Sequence, residues 1–296
     1  MGRRRALGTS AALAGVLAVA AVGGAPAADA ASINAYRGAG AWVDIYSGGA
    51  LGQPEAVVRR LAGAGVKTLY LETANYRRPR SVRIVWPAAD RRFILAAHAR
   101  GMRVVAWYLP SLGDLAADRE RALAAIRFRT PDGQGFDGFA LDIESNVVAG
   151  ISARNAQLMT LSRQLRAAVG RGYALGAIIP DARSTAPSRS LWPGFPYRSL
   201  ASLYDVFLPM AYSTYRVSGA FATYAYTRAN VARIRLGTGR PGVPVHIIGG
   251  LADGLDAGEA KAVVSGARAA HALGVSFYNY GVTGAEEYSA LRSLSP

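Results

Sequence analysis

Residues 136–145 read FDGFALDIES, a mainly apolar segment that ends in two carboxylates. Successive side chains of a strand point to opposite faces, so Asp142 and Glu144 share one face. Gly138 and Ala140 lie on that same face. A segment that is apolar on both faces is typical of a strand buried within a parallel sheet. The segment therefore predicts a buried strand with acidic side chains at its carboxyl end.

Seven further strand candidates alternate with helical patterns along the chain. The eight strands are predicted at 41–47, 66–73, 102–110, 137–144, 173–180, 206–212, 243–250 and 275–281. Several helical patterns open with proline or end in glycine, as in PEAVVRRLAGAG at 54–65. Eight strand–helix units of about 33 residues predict a single (β/α)8 TIM barrel. A doubly wound open sheet is the alternative, but no G-x-G-x-x-G motif follows the first strand.

The first 30 residues have the pattern of a secretory signal peptide. A basic MGRRR is followed by the apolar run ALGTSAALAGVLAVAAVGG and the small-residue site Ala28-Asp29-Ala30. We expect cleavage there, which predicts a secreted or cell-envelope protein without stable membrane insertion. A retained membrane anchor is the alternative. Residues 31–39 are then a linker, and the barrel is predicted over 40–296.

The 296-residue chain has no cysteine and a formal net charge of +15. Without disulfides, an exported protein with 51% hydrophobic residues must be stabilised by a sizeable core. The arginines are scattered and form no basic helix with interleaved aromatic residues, so nucleic acid is not an expected partner. The charge would attract anionic cell-wall polymers, although codon bias also explains a chain rich in Ala, Gly and Arg.

Acidic and aromatic residues end most of the predicted strands. The active site of a (β/α)8 barrel lies at these carboxyl ends, which form the mouth of the barrel. The candidates for substrate binding are Asp44, Tyr46, Glu72, Trp107, Tyr108, Met210, Tyr278 and Tyr280. Aromatic faces stack on sugar rings, and carboxylates carry out the acid–base cleavage of glycosidic bonds. The composition of the mouth therefore favours a glycan substrate.

Asp142 and Glu144 are the expected acid pair at this mouth. Their Cα atoms would be ~6.6 Å apart in a strand. Carboxylates this close raise each other's pKa, so that one remains protonated as an acid while the other is ionised. Pairing with arginine at the rim, or simple solvation of Glu144, are the alternatives. No metal or cofactor is expected, because no H-E-x-x-H motif or other ligand spacing is present.

The segment DGFALDIE at 137–144 resembles the fourth-strand signature of the family 18 glycoside hydrolases, the chitinases and their relatives. That signature reads D-G-x-D-x-D-x-E. The matching residues are Asp137, Gly138, Asp142 and Glu144. Ala140 departs from it, because the family has an aspartate at that position.

Two further strand ends bear on this resemblance. PMAYS at 209–213 is similar to the sixth-strand pattern M-x-Y-[DN] of the family, where Met210 and Tyr212 match and Ser213 departs. The eighth strand of the family usually contributes a tryptophan to the floor of the sugar site. This chain has SFYNY at 276–280 instead, so an aromatic residue is present but not that one.

The resemblance implies a retaining hydrolase that cleaves β-linked glycans containing N-acetylhexosamine. It assigns the general acid/base to Glu144. Asp142 would orient the 2-acetamido group of the substrate, which itself attacks the anomeric carbon, and Tyr212 would hydrogen-bond the same group. No protein nucleophile is then required. The aspartate that Ala140 replaces would share a proton with its neighbour and help to raise the pKa of the acid.

Three other functions are compatible with the same residues. Asp44 in WVDIYSG and the pair in LDIE look something like the family 25 lysozymes, which cleave the muramic acid side of peptidoglycan. Ala140 and the absent eighth-strand tryptophan would also suit a carbohydrate-binding barrel without catalysis. A metal-dependent hydrolase or isomerase that uses Asp44, Glu72 and Asp142 is the third.

Overall fold

The computed structural model describes residues 1–2, 33–187 and 191–294. Its strands are β1 (Gly38–Val43), β2 (Thr68–Asn75), β3 (Arg103–Leu109), β4 (Gly138–Asp142), β5 (Leu175–Ile179), β6 (Val206–Pro209), β7 (His246–Leu251) and β8 (Gly274–Tyr278). They form one parallel sheet in the order β6-β5-β4-β3-β2-β1-β8-β7. Bridges from Phe207 to Val245 and from Met210 to Ile248 join β6 to β7, so the sheet is nearly closed. The predicted TIM barrel is confirmed.

The helices pack around the outside of this barrel. They are α1 (Gly48–Gly52), α2 (Pro54–Gly63), α3 (Pro87–His98), α4 (Leu115–Ile126), α5 (Ile151–Val169), α6 (Tyr197–Leu200), α7 (Ala220–Thr238), α8 (Ala257–Ala269) and α9 (Ala285–Arg292). Proline starts α2 and α3, where its missing N–H group is not needed. Asp256 and Glu259 form a capping box at the start of α8. In the described ranges, no helix combines the length and the apolarity that crossing a membrane requires.

Strand alternation divides the side chains between two apolar layers. On β4, Phe139 and Leu141 pack outwards against the helices, whereas Ala140 faces the barrel interior. The interior layer combines aromatic with small and aliphatic side chains. The rings of Trp42 and Tyr70 stack in it with centroids 4.1 Å apart. This filled interior means that a ligand can reach the barrel only at its ends.

The predicted linker over 31–39 requires correction for the residues that the structure describes. A 3-10 helix over Ile33–Tyr36 precedes β1. Tyr36 is fully buried in the lower barrel, where its hydroxyl donates to the carbonyl of Phe139 at 2.8 Å. Gly176 leaves room for this ring, because a Cβ there would lie 2.8 Å from it. The segment closes the amino-terminal end of the barrel, while the predicted signal peptide lies almost wholly outside the described residues.

His246, the first residue of β7, belongs to this closed end. Its Nδ1 lies 2.8 Å from the carbonyl of Tyr36, which can only accept, so Nδ1 carries the proton. Its Nε2 then accepts from the hydroxyl of Ser276 at 2.9 Å. Burial lowers the pKa of His246 to about 4, so the ring is neutral at physiological pH. His246 is a packed and hydrogen-bonded core residue.

Candidate active site at the barrel mouth

Asp142 is the last residue of β4 and lies at the top of the barrel interior, above Ala140. It is buried, and its Oδ1 atom has no hydrogen-bond partner among the described residues. Glu144 follows the strand at the rim, where its side chain is exposed. The strand thus delivers one buried and one accessible carboxylate to the same end of the barrel.

The pKa values of both groups are raised. Burial raises the pKa of Asp142 well above its usual range, and the neighbouring Glu144 and Glu72 raise it further. Although Glu144 is exposed, the surrounding protein partly desolvates its carboxyl group and raises its pKa, which Arg77 opposes. The pair therefore holds a proton more readily than two isolated carboxyl groups.

Glu72 is a third acid directed into the mouth, from β2. Its Oε2 accepts from the amide of Ile45 at 3.1 Å, and its Oε1 accepts from Nδ2 of Asn75 at 3.0 Å. Burial raises the pKa of Glu72 to about 7, and the nearby Asp44 contributes in the same direction. Glu72 is consequently partly protonated at neutral pH.

Asp44, at the end of β1, is held by four donors. Its Oδ1 accepts from the amide of Tyr46 at 3.0 Å and from the hydroxyl of Ser47 at 2.9 Å. Its Oδ2 accepts from the hydroxyl of Tyr278 at 3.1 Å and from Nδ2 of Asn279 at 2.7 Å. Asp44 therefore ties β1 to β8 at the mouth and is already saturated with hydrogen bonds.

Tyr212 follows β6 and brings a phenolic hydroxyl to the acid pair. Burial raises the pKa of Tyr212 well above its usual range, and Tyr278, Asp142 and Glu144 add to the shift. Its ring lies 6.3 Å from that of Tyr278, between centroids. Tyr212, Met210 and Glu144 line a cavity of about 160 Å3. The remaining lining residues are Pro180, Asp181, Ser184, Leu191, Tyr215 and Arg216.

One wall of this cavity was missed by sequence reasoning. The Nε of Arg216 donates to Asp181 at 2.9 Å, and the hydroxyl of Tyr226 donates to the same carboxylate. The only sequence signal was that Asp181 follows the fifth strand, because its partners lie more than 30 residues further along the chain. Among the residues that the structure describes, no three acidic, histidine or cysteine side chains are grouped to hold a metal ion.

Trp107 forms part of the floor beneath the acids. It lies on the interior face of β3, in register with Glu72 on one side and Ala140 on the other. Its Nε1 atom is buried without a hydrogen-bond partner in the described chain. Ala140 thus lies next to the indole of Trp107 on the adjacent strand, and both side chains belong to the interior layer.

Two predicted substrate-binding residues are not at the mouth. Trp107 faces inwards, so alternation turns Tyr108 outwards, where it is fully buried and its hydroxyl donates to Asp118 of α4 at 2.6 Å. The ring of Tyr280 packs against the helix layer, beneath the guanidinium of Arg60 at 5.7 Å. The expectation that Tyr108 and Tyr280 line the site is therefore corrected.

Tyr46 lies at the rim of the mouth and is 61% exposed. Its hydroxyl accepts from Asn75 at 3.0 Å, and the guanidinium of Arg78 lies 5.3 Å from the centre of its ring. Arg77 beside it interacts electrostatically with Glu144. The β2 end of the mouth therefore offers an accessible aromatic face and two cationic groups.

No protein-family model matches the chain, and no curated protein matches it. Solved structures do match. The endo-β-1,4-mannanase from Thermotoga petrophila is 9% identical, with a TM-score of 0.65 over 88% of this chain and 76% of its own. The family GH18 chitinase from Cycas revoluta is 12% identical, with a TM-score of 0.60 over 86% and 96%. The spore cortex-lytic enzyme SleL from Bacillus cereus is 8% identical, with a TM-score of 0.59 over 86% and 73%.

The chain shares the barrel fold of family 18 chitinases. At these identities the likeness concerns the fold, which hosts many chemistries. The resemblance expected from the fourth strand is thus confirmed at the level of architecture. The similarity to family 25 lysozymes stays a prediction, and the shared fold alone assigns no role to the mouth residues.

Proposed function

We propose that the protein is a secreted, retaining glycoside hydrolase that cleaves β-linked glycans containing N-acetylhexosamine. The observation that carries this proposal is the arrangement of Asp142 and Glu144. One carboxylate is buried with an unpartnered oxygen, and the other is accessible with a raised pKa. Such separated environments are typical of an acid and its electrostatic partner. The fold shared with chitinases, a mannanase and a cortex-lytic enzyme supports a glycan as the substrate.

In the proposed reaction, protonated Glu144 gives its proton to the glycosidic oxygen as the bond to the anomeric carbon breaks. The carbonyl oxygen of the substrate's own acetamido group forms the new bond to that carbon. Asp142 and Tyr212 orient the acetamido group. Glu144 then removes a proton from water, which opens the cyclic intermediate, so the configuration is retained and the enzyme returns to its starting state.

Glu72 is proposed as the buried acid that compensates for Ala140. Residue 140 lies in the same interior layer as Glu72, with Trp107 between them in register. Glu72 is buried, has a pKa of about 7 and acts electrostatically on Asp142. A carboxyl group that raises the pKa of Asp142 is therefore supplied from β2 rather than from β4. Glu72 would act as a positioning residue, through Asp142.

Glu144→Gln tests the assignment most directly. The variant keeps the size of the side chain but cannot donate a proton, so kcat should fall by ~10²–10⁴ on chito-oligosaccharides or peptidoglycan. Because Glu144 is exposed, the thermal midpoint should not change. Glu286→Gln, at the exposed start of α9, is the matched control and should retain full activity. A glutamine variant at 144 that cleaves every substrate of the parent at full rate would falsify the assignment.

A carbohydrate-binding barrel without catalysis is the second candidate. It is favoured by Ala140, which leaves the fourth strand without its second carboxylate. Retention of the protein on chitin or peptidoglycan, with no release of reducing ends, would support it. A family 25-like muramidase is less favoured, because Asp44 already accepts four hydrogen bonds. Cleavage of peptidoglycan that Asp44→Asn abolishes would support that function instead.

A further inference from the structure

A second cavity lies at the closed, amino-terminal end of the barrel, opposite the mouth. Its volume is about 840 Å3, within the range of small-molecule sites. Six basic side chains line it: Arg37, Lys67, Arg103, Arg235, Arg268 and His271. The buried layer around Tyr36 and His246 separates this cavity from the acids at the mouth. It is therefore a separate site, and nothing in the proposed hydrolysis uses it.

Most of the positive charge in this cavity is uncompensated. Arg103 pairs with Asp137 at 3.1 Å. Arg37, Arg235 and Arg268 have no carboxylate within ion-pair distance in the described chain, and the ammonium group of Lys67 has no hydrogen-bond partner there. A concave surface lined by unpaired cationic side chains attracts anions, because the positive potentials of the individual charges add together.

Two of these arginines are held in place by backbone carbonyl groups. Arg235 donates to the carbonyls of Ala270 at 2.8 Å and His271 at 3.1 Å, and Arg268 donates to the carbonyl of Ser293 at 3.3 Å. These bonds restrict the guanidinium groups without neutralising them. A positioned guanidinium retains further N–H groups that match the oxygens of phosphate or carboxylate.

The rest of the lining indicates what kind of anion fits. In the part of the chain that the structure describes, no Phe, Tyr, Trp, Asp or Glu side chain lines the cavity. Sugar rings and nucleic-acid bases are recognised by stacking on aromatic faces, which this cavity does not offer. Recognition must therefore come from charge, and the ligand is a compact group rather than a stacked polymer.

We infer that the closed end of the barrel binds a compact multivalent anion that carries phosphate or carboxylate groups. Arg37, Lys67, Arg235 and Arg268 supply the charge, and the 840 Å3 volume admits a molecule of metabolite size. The site is independent of the acids at the mouth. The inference of an anion site therefore does not depend on the glycosidase proposal.

Calorimetric titration of the full chain with inorganic pyrophosphate and with citrate tests this inference. The expected result is saturable binding of one anion per chain, which weakens as the salt concentration rises. The double variant Lys67→Gln/Arg268→Gln should lose at least about tenfold in affinity. Arg59→Gln/Arg91→Gln removes the same charge from exposed positions on α2 and α3, and should stay within about twofold of the parent. Glu144→Gln should bind the anion as the parent does.

The outcomes separate the alternatives. Preference for pyrophosphate assigns a phosphate ligand, and preference for citrate assigns a carboxylate ligand. No saturable binding of either anion overturns the inference, as does an equal loss in the Arg59/Arg91 control, which would show attraction to net charge alone. If the double variant does not fold, Lys67→Gln alone is the test, because Lys67 is exposed and its ammonium group has no partner in the described structure.

Discussion

The two ends of the barrel interior differ in whether their buried polar atoms have hydrogen-bond partners. Around His246, each ring nitrogen has a partner within 2.9 Å, and Ser276 also accepts the indole N–H of Trp42 at 2.8 Å. At the mouth, Oδ1 of Asp142 and Nε1 of Trp107 are buried without partners. Both regions lie on inward-facing strand positions, so the difference comes from the residues and not from the fold.

This difference has an energetic meaning. A buried polar group without a partner costs about 1–3 kcal/mol, whereas a paired one is close to neutral or stabilising. The lower layer therefore contributes to stability, and the mouth lowers it. Unpartnered groups that persist at the open end of a barrel are typical of a site that a ligand completes. Substitutions at the two ends should consequently affect different measurements.

Asp142→Asn should reduce activity strongly and leave stability almost unchanged. The amide keeps the shape of the side chain but cannot take up or release the proton that the acid pair holds, so kcat should fall by ~10²–10³. The free energy of unfolding should change by less than about 1 kcal/mol, because the parent carboxyl group makes no hydrogen bond through Oδ1. Hydrolysis rates and urea unfolding at the same pH measure both quantities.

The division between the two ends is contradicted if the hydrolysis rate and the free energy of unfolding both fall. A variant at position 142 that loses several kcal/mol of stability would show that Asp142 is a structural residue. Activity equal to that of the parent would remove Asp142 from the proposed reaction.

His246→Ala should do the opposite at the closed end. The substitution leaves a cavity and removes the partner of the Tyr36 carbonyl, so the free energy of unfolding should fall by about 3 kcal/mol. The kcat per folded molecule should be unchanged, since the ring is far from the acids. Leu236→Ala, on an exposed face of α7, is the control and should cost less than about 0.5 kcal/mol. A large drop in kcat with unchanged stability would contradict the division between the two ends.

The barrel could be predicted because its signals are local. Apolar runs of strand length, alternating with helical patterns, identify each βα unit without knowledge of the others. The position of Asp142 and Glu144 at the mouth follows from the same patterns, since the carboxyl ends of parallel strands lie together. The ends of elements follow less directly from these patterns, and the segment 31–39 is predicted as a linker because a 3-10 helix has no strong sequence signal.

The parts of the site that could not be predicted depend on contacts between distant segments. The ion pair of Asp181 with Arg216, and the bonds from Tyr278 and Asn279 to Asp44, join residues from different βα units. The raised pKa of Glu72 requires its burial to be known. Tyr108 is a different case, because neighbouring residues of a strand face opposite sides and Trp107 and Tyr108 cannot both line the site. The sequence therefore excludes one of the two, and the structure shows that Trp107 is the one that faces inwards.

Glu72 offers the finest test of the mouth, through the pH dependence of stability. Its pKa is raised from 4.5 to about 7 in the folded chain, so ionisation is disfavoured in the native state. The stability that protonated Glu72 provides is complete below about pH 4.5 and is lost as the pH rises towards 7. The loss is about 3 kcal/mol. Glu72→Gln should therefore show a shallower decline than the parent when urea unfolding is compared between pH 4.5 and 7.5, whatever its absolute stability. Glu286→Gln controls for the loss of one carboxyl group. Parallel curves for the parent and Glu72→Gln would mean that folding does not raise the pKa of Glu72, and would remove its proposed role beside Asp142.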